Sequence, residues 1–354
     1  MSERSSPSDP SWTRRQALGR LLWGLAGATL PLAATGASRA QASGGGRSGP
    51  ARPGAAVVRV PAGGSIQRAV DAAPPGGEVR IAPGEYVETV IIDKPLTLAS
   101  ETGYADTVIR ADHSRFRWRG VRRDDQIVGA VNVMKTRDVR ILGLTLEDAL
   151  EGVWVSVSQR VLVAGCMSCE HVSSGYYFWA SREATLLRSD GRLNAVGVYQ
   201  GNSVDITIAG NRFTANHGGR VPHLDNEDFP GIGILVGNAS TRCSIGGNHS
   251  FANADWGLGI GEGVSHVVAS GNELRGQKRG ASVNGPHLAL HRNNLVGNSE
   301  AGLVGDEHTD ARYNWWGDPS GPSGDAHGSG AAVRGAASYR PWLSRPVGVP
   351  PFAF

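Results

Sequence analysis

From Gly129 to Trp316 the chain repeats one short pattern: a Gly, a β-prone run of alternating character, a second short apolar run, and a polar turn usually marked by Asn. Taking Gly152, Gly175, Gly197, Gly233, Gly257, Gly280 and Gly302 as equivalent gives spacings of 23, 22, 36, 24, 23 and 22 residues, so a single gap breaks the period. Units of this length bury their apolar faces only by stacking on their neighbours. The pattern therefore predicts a coil of parallel β rungs, with residues one repeat apart lying one above another at about 4.8 Å. Alternation assigns directions within a rung. Across residues 152–158 the valines face inward, and Trp154, Ser156 and Ser158 face solvent. The same offset gives Asn132, Trp154, Tyr177, Tyr199 and Leu235 as one outward column, an aromatic ladder with Trp179 opening the column beside it, which either binds the apolar faces of sugars or is covered by a loop or the C-terminal tail. Tyr176, Phe178 and Val198 are expected inside.

Ahead of the repeats, Ser65 is placed to cap a short helix whose Ile66, Ala69, Val70 and Ala73 share one face, ended by residues 74–77, Pro-Pro-Gly-Gly. Residues 78–82 read as a strand, 83–86 as a turn, 87–92 as a strand and 96–99 as another. A helix across the open end of a β coil covers an edge that would otherwise pair with other chains. Asn211, Asn248, Asn272, Asn293 and Asn314 recur at one turn position, where side chains stack inside the coil, and Cys166 holds the equivalent place. Cys243 falls on an inward apolar position.

The opening string, residues 65–98, is similar to the start of pectin methylesterases and of many secreted β-helix proteins. The closing string Tyr-Asn-Trp-Trp-Gly-Asp-Pro-Ser-Gly-Pro, residues 313–322, resembles the ending of many such proteins, including periplasmic accessory proteins of nitrous oxide reductase maturation. The chain thus resembles the pectin-lyase-like superfamily. The resemblance implies an all-β fold: a single-stranded right-handed parallel β-helix over residues 56–322, with a short N-terminal capping helix. Residues 323–354 are then a tail packing on or capping the coil. This fold hosts many activities. The methylesterase strings Gln-Asp-Thr-Leu-Tyr and Asp-Phe-Ile-Phe-Gly are absent, as is the Asp-Pro-His-Asp or Asp-Pro-His-Glu string of alginate epimerases.

Residues 1–42 resemble a twin-arginine export signal, with Arg14 and Arg15 before a mostly apolar run to Ala34 and a cleavage-like Ala40-Gln41-Ala42. That run is shorter than a membrane span and Arg20 interrupts it, so no stable span is expected after its removal. Residues 43–55 read as a flexible linker. Cleavage removes five basic and two acidic groups from totals of 35 and 32, leaving the mature chain balanced at 30 of each. A nucleic-acid partner, which calls for a basic face, is excluded.

The candidate chemistry gathers where the period breaks. Residues 216–230 carry His217, Arg220, His223, Asp225, Glu227 and Asp228, and a long insertion in a compact repeat is either functional or disordered. The preceding turns add Glu170, His171, Asp190, Arg192 and Asn194. Uronate chemistry needs a cation to neutralise the substrate carboxylate and a base to take the C5 proton. Arg192 and Arg220 are candidate cations, His171, His217 and His223 candidate bases, and Asp190 belongs to the same cluster. All are expected to converge near Trp154, Tyr177 and Tyr199. Asp225, Glu227 and Asp228 are candidate Ca²⁺ ligands; the alternative for the insertion is a solvated loop. A second interruption, residues 115–123, interleaves Arg with Phe116 and Trp118, so that Arg117 and Arg119 either clamp an anionic chain or sit in a solvated hairpin paired with Asp112, Asp124 and Asp125. Finally, Cys166, Met167, Cys169 and His171 compose a soft donor set suited to Cu(I), against the alternatives of a disulfide or buried thiols. Three readings follow: an exported lyase or epimerase of an acidic polysaccharide, a non-catalytic periplasmic accessory or binding protein that handles copper in one version, or a structural surface protein.

Overall fold

A computed structural model of the chain describes residues 56–353. The export-signal and linker segments, 1–42 and 43–55, lie outside the described residues. The described residues wind as an all-β parallel β-helix of about eleven turns. Three sheets run along the coil. Sheet I has eleven strands, from Val57–Val60 to Thr309–Asp310; sheet II has eleven and contains Glu151–Ser156; sheet III has nine and contains Met167–Cys169. The register follows the sequence period throughout: Val153 pairs Tyr176, Tyr176 pairs Val198, Val198 pairs Ile234, Ile234 pairs Leu258, Leu258 pairs Ala281 and Ala281 pairs Leu303.

Close approach between rungs explains the repeat glycine. A Cβ on Gly152 would lie 1.8 Å from Ser168 Oγ and 2.4 Å from the Gly175 carbonyl oxygen, and one on Gly233 would lie 2.0 Å from Ser250 Oγ. No side chain fits where one rung's backbone passes this near the next.

Two polar ladders run inside the turns. In the first, Asn211, Asn248 and Asn272 each use the backbone N–H and Nδ2 to donate to the next Asn Oδ1, ending through Asn293 at Asn314. Cys166 and Ser189 continue it in the other direction: Cys166 N–H donates to Ser189 Oγ and Ser189 N–H to Asn211 Oδ1. The second, which the Gly-to-Asn pattern did not reveal, runs His171, Asn194, Asn216, Asn253. Both satisfy buried backbone donors that corners would otherwise orphan.

The helix spans Ile66–Ala72, with Ser65 Oγ accepting from Arg68 N–H and Ile66, Ala69 and Val70 buried. Residues 83–92 depart from expectation. The expected turn is the strand Gly84–Val87, and the expected single strand is interrupted before Val90–Ile92. The corner falls at Glu88, whose carboxylate accepts from the N–H groups of Ile66 and Gln67 at 2.9 Å each, tying the first rung to the helix N-terminus. The parity reading also fails after Ser156. Val157 takes a left-handed φ of 50° and is exposed, which turns Ser158 inward to donate its N–H to Ser181 Oγ. At the other end, Pro322–Gly324 and Gly330–Gly335 extend sheet II. The remaining tail crosses the outside of sheet III: Val347 exchanges two hydrogen bonds with Asn294, Pro350 O meets His249 Nε2 at 2.7 Å, and Phe352 lies under the Arg212 guanidinium at 4.8 Å.

Candidate functional site

Sheet II carries the aromatic column in the expected register: Asn132, Trp154, Tyr177, Tyr199 and Leu235 occupy consecutive rungs. Trp154 meets Tyr177 edge-on at 4.8 Å, and Tyr177 stacks on Tyr199 at 4.4 Å. The column is nevertheless not an exposed ladder. Trp154 and Tyr177 are 0% exposed, Tyr199 6% and Trp179 8%. Asn132 is no contact residue either, since Val128 and Gly129 N–H donate to its Oδ1 and its Nδ2 donates to Val90 O and Gly129 O.

Both interruptions of the repeat fold over this column. Residues 216–230 form an antiparallel hairpin, Gly218–Val221 against Glu227–Pro230, in which Val221, His223, Leu224 and Phe229 are buried and Phe229 reaches Tyr199 at 5.9 Å. The earlier segment closes on itself through an Arg117–Ile127 bridge and sets Arg123 over Trp179 at 4.7 Å. Trp179 Nε1 donates to Asp124 Oδ1 at 2.9 Å, and Ser156 Oγ to Asp124 O at 3.1 Å. The two covers meet where Arg123 approaches Asp225 at 4.0 Å. A contiguous apolar face of this size is unfavourable in water, and the chain covers it with its own insertions.

Beneath the hairpin lies a pair that sequence reasoning missed. His223 Nε2 is 2.8 Å from Glu151 Oε1, both side chains are fully buried, and Glu151 Oε2 accepts from Ser174 N–H at 2.8 Å. The only sequence sign was a carboxylate just before the repeat Gly152, where other rungs place Ser174, Val196 or Ile232. His223 Nδ1, Trp154 Nε1 and Tyr177 Oη are buried with no hydrogen-bond partner among the described residues. Burial pushes the Tyr177 and Tyr199 hydroxyls up in pKa, so both are neutral. Glu227 is also pushed up by burial, with Arg123 pulling the other way. The Arg123 side chain is 14% exposed, lies over Trp179, and is paired with Asp225 only across 4.0 Å, with Glu227 in electrostatic reach.

The remaining expected site residues do not join this centre. His171 belongs to the second ladder: Ala149 N–H donates to its Nδ1 at 3.2 Å, Ser168 Oγ sits 2.9 Å from its Nε2, and burial lowers its pKa to about 3. Such a ring is a neutral structural acceptor. Asp190 lies on sheet III, where it pairs with Arg212, whose guanidinium sits over Phe352 of the tail. Arg192 donates to the Met167 sulfur at 2.8 Å on the same sheet. His217 is exposed, with Nδ1 2.6 Å from Gly218 O. Arg220 is exposed on the hairpin and faces Asp228 across the strands at 3.5 Å. Arg117 and Arg119 are exposed, Arg119 lying over Trp118 at 4.9 Å. The expected convergence on the aromatic column is met by His223 alone.

Neither expected metal set is assembled. Asp225 is 86% exposed toward Arg123 and Asp228 is committed to Arg220, so the calcium set lacks a common centre. For copper, Cys166 is fully buried as a step of the first ladder, Cys169 lies in a different environment with Sγ 3.9 Å from Glu147 Oε1, and burial raises both thiols to about 11. All three cysteines are free thiols. Cys166 is taken up in the first ladder and the His171 ring is engaged at Ala149 and Ser168, and no group of three His, Cys, Asp or Glu among the described residues is placed to hold a metal.

Residues 119–321, more than half the chain, match the family described as periplasmic copper-binding protein (NosD). No curated protein matches. Among solved structures the chain is similar to the mannuronan C-5 epimerase AlgE6 A-module of Azotobacter vinelandii, at 15% identity over 81% of this chain and 94% of that one, with a TM-score of 0.48. Pectate lyase Pel9A is 13% identical over 82% and 80%, TM-score 0.44. The periplasmic alginate epimerase AlgG is 14% identical over 79% and 83%, TM-score 0.44. At these values the likeness is one of coil architecture alone. No helix among the described residues is long and apolar enough to cross a membrane.

Proposed function

The chain belongs to the NosD family of periplasmic copper-binding proteins, and from that premise we propose that it is an exported, non-catalytic accessory protein whose coil serves as a binding scaffold. One observation carries this over a lyase or epimerase: the imidazoles and guanidiniums that uronate chemistry needs do not meet around an open cleft. His171 is a buried ladder step, Arg192 sits on sheet III, His217 and Arg220 are exposed, and the aromatic wall is covered. A general base must reach the proton it abstracts, and a cation must reach the substrate carboxylate. Incubating the mature protein with pectate, alginate and glycosaminoglycans, with and without Ca²⁺, tests this. The expected result is no unsaturated-uronate absorbance, no chain shortening and no C5 exchange by proton NMR. Turnover of any polymer overturns the reading.

A second reading has one observation in its favour. The three unpartnered buried polar atoms and the loosely paired Arg123 lie together under a hairpin held to the coil by few hydrogen bonds. If the hairpin lifts, Trp154, Tyr177, Trp179 and Tyr199 become a stacking wall for an acidic saccharide, with Arg123 on its carboxylate. Oligouronates would then quench tryptophan fluorescence saturably, and more strongly in Phe229→Ala, which loosens the lid. Absence of quenching in both proteins excludes it.

A further inference from the structure

We infer that the outer face of sheet I is a self-complementary surface on which a second copy of the chain docks about a two-fold axis. The outward positions of this face form two columns. Register sets Arg140, Leu162, Thr185, Thr207 and Ser244 on consecutive rungs in one, and Leu142, Ala164, Leu187, Ala209 and Gly246 in the other. All are half-buried or exposed, and beyond Arg140 neither column carries a charge on these rungs. A flat strip of apolar and hydroxyl groups therefore faces solvent, the kind of patch that marks an interaction surface. The tail tip, residues 350–353, bounds it toward sheet III, against Leu187, Arg188, Gly210 and Gly247.

A row of charge bounds the strip on its other side. Asp138, Arg160, Glu183, Asp205 and Arg242 stand two residues before the first column on the same five rungs, all exposed and all with left-handed φ between 53° and 58°. Within the chain Arg160 forks onto Asp138 at 2.7 and 2.9 Å, and Arg242 onto Asp205 at 2.7 and 2.8 Å. Along the coil the signs run minus, plus, minus, minus, plus. A two-fold axis parallel to the strands through the Glu183 rung turns this row end for end, so that Asp138 stands opposite Arg242 of the second copy and Arg160 opposite its Asp205. Only Glu183 meets its like, and Arg182, exposed on the same rung, carries the countercharge. Moving the axis half a rung toward Asp205 sets Arg160 on Arg242 and Glu183 on Asp205, so the charges select one register. Volume selects the same axis: Leu142 faces Gly246, Leu162 faces Thr207 and Ala164 faces Ala209, bulk opposite space, as sheets packed about 10 Å apart require. Such a contact is isologous and closes at the dimer. Five rungs span about 24 Å and the three outward rows about 15 Å, so the two copies together lose on the order of 1,000 Å², the lower bound for a specific interface.

The mature protein is tested by sedimentation equilibrium from about 5 to about 500 µM, a span that suits a weak interface of this size. A monomer–dimer equilibrium is expected. Leu162→Arg, in the middle of the strip, should weaken it tenfold or more with no change in urea midpoint, whereas Val172→Arg, at an exposed apolar position outside sheet I, should leave it unchanged. Register is read with single cysteines and a short bis-maleimide, the native thiols being buried. Thr185→Cys, on the axis, should cross-link to itself. Ser244→Cys alone should not, yet should cross-link when mixed with Arg140→Cys. A monomer at every concentration overturns the inference, as does a dimer that Leu162→Arg leaves intact or that Val172→Arg weakens equally. Self-linking of Ser244→Cys without any of Thr185→Cys overturns the axis. The face lies apart from the covered aromatic column, so the inference goes beyond the accessory reading and stands or falls without it.

Discussion

His171 is the residue whose substitution most sharply separates a catalytic from a structural role. Its ring stands where the Asn194 and Asn216 side chains stand on the next rungs, with Nδ1 accepting the Ala149 N–H, while the His171 backbone N–H donates to Asn194 Oδ1. Replacement by Asn should restore an acceptor at the same step, whereas replacement by Ala should orphan the buried donor and leave a void. Asn is therefore expected to hold stability at pH 7 to within about 1 kcal/mol, and Ala to cost about 2–4 kcal/mol from the unsatisfied N–H and the cavity.

The pH dependence gives an independent reading. Burial lowers the His171 pKa from 6.5 to about 3. The unfolded chain therefore binds a proton that the folded chain refuses between those values, and stability present above pH 6.5 is lost as pH falls. At about 1.36 kcal/mol per pH unit the loss reaches on the order of 3 kcal/mol by pH 4.5 and on the order of 5 kcal/mol below pH 3. The carboxylates held low by hydrogen bonds, Asp112, Asp125 and Asp205, add their own loss only below the ordinary carboxylate range near 3.8. The window from pH 7 to 4.5 thus separates His171 from these carboxylates, and Glu227, raised by burial, shifts stability there in the opposite direction in both proteins. Urea midpoints across it, at constant slope, should fall steeply in the wild type and much less in His171→Asn. Equal falls in both proteins would show that His171 is not the acid-sensitive group, and would remove the ladder account of its burial.

Three further outcomes test other contacts. Gly233→Ala should cost more than about 2 kcal/mol, because its Cβ would meet Ser250 Oγ at 2.0 Å; a variant as stable as the wild type in urea would show that the rungs can part. Removing His223 alone should cost about 3 kcal/mol by leaving Glu151 with only the Ser174 N–H, and Glu151→Gln with His223→Leu should recover part of it; additivity in a double-mutant cycle would deny the pair. Asn248→Ala should cost at least about 2 kcal/mol, since Asn248 Oδ1 accepts both from the Asn211 N–H and from Asn211 Nδ2, and a smaller loss by denaturation would deny the ladder its weight.

The repeat was legible to the residue because a missing Cβ and a recurring Asn are local requirements of stacking, visible without any knowledge of what surrounds them. The aromatic column was read correctly as a column for the same reason. Whether it is open or covered by a loop was not decided by the sequence, because exposure depends on where two aperiodic segments land, and nothing periodic constrains residues 112–128 or 216–230. His171 misled for a related cause: next to Cys169 it looks like chemistry, yet its neighbour in space is Asn194 on the following rung, and only the ladder reveals that an imidazole is replacing an amide. Inside the coil the Asn and His side chains of the two ladders are consumed by satisfying backbone, so a titratable residue at a ladder position is most economically read as structural.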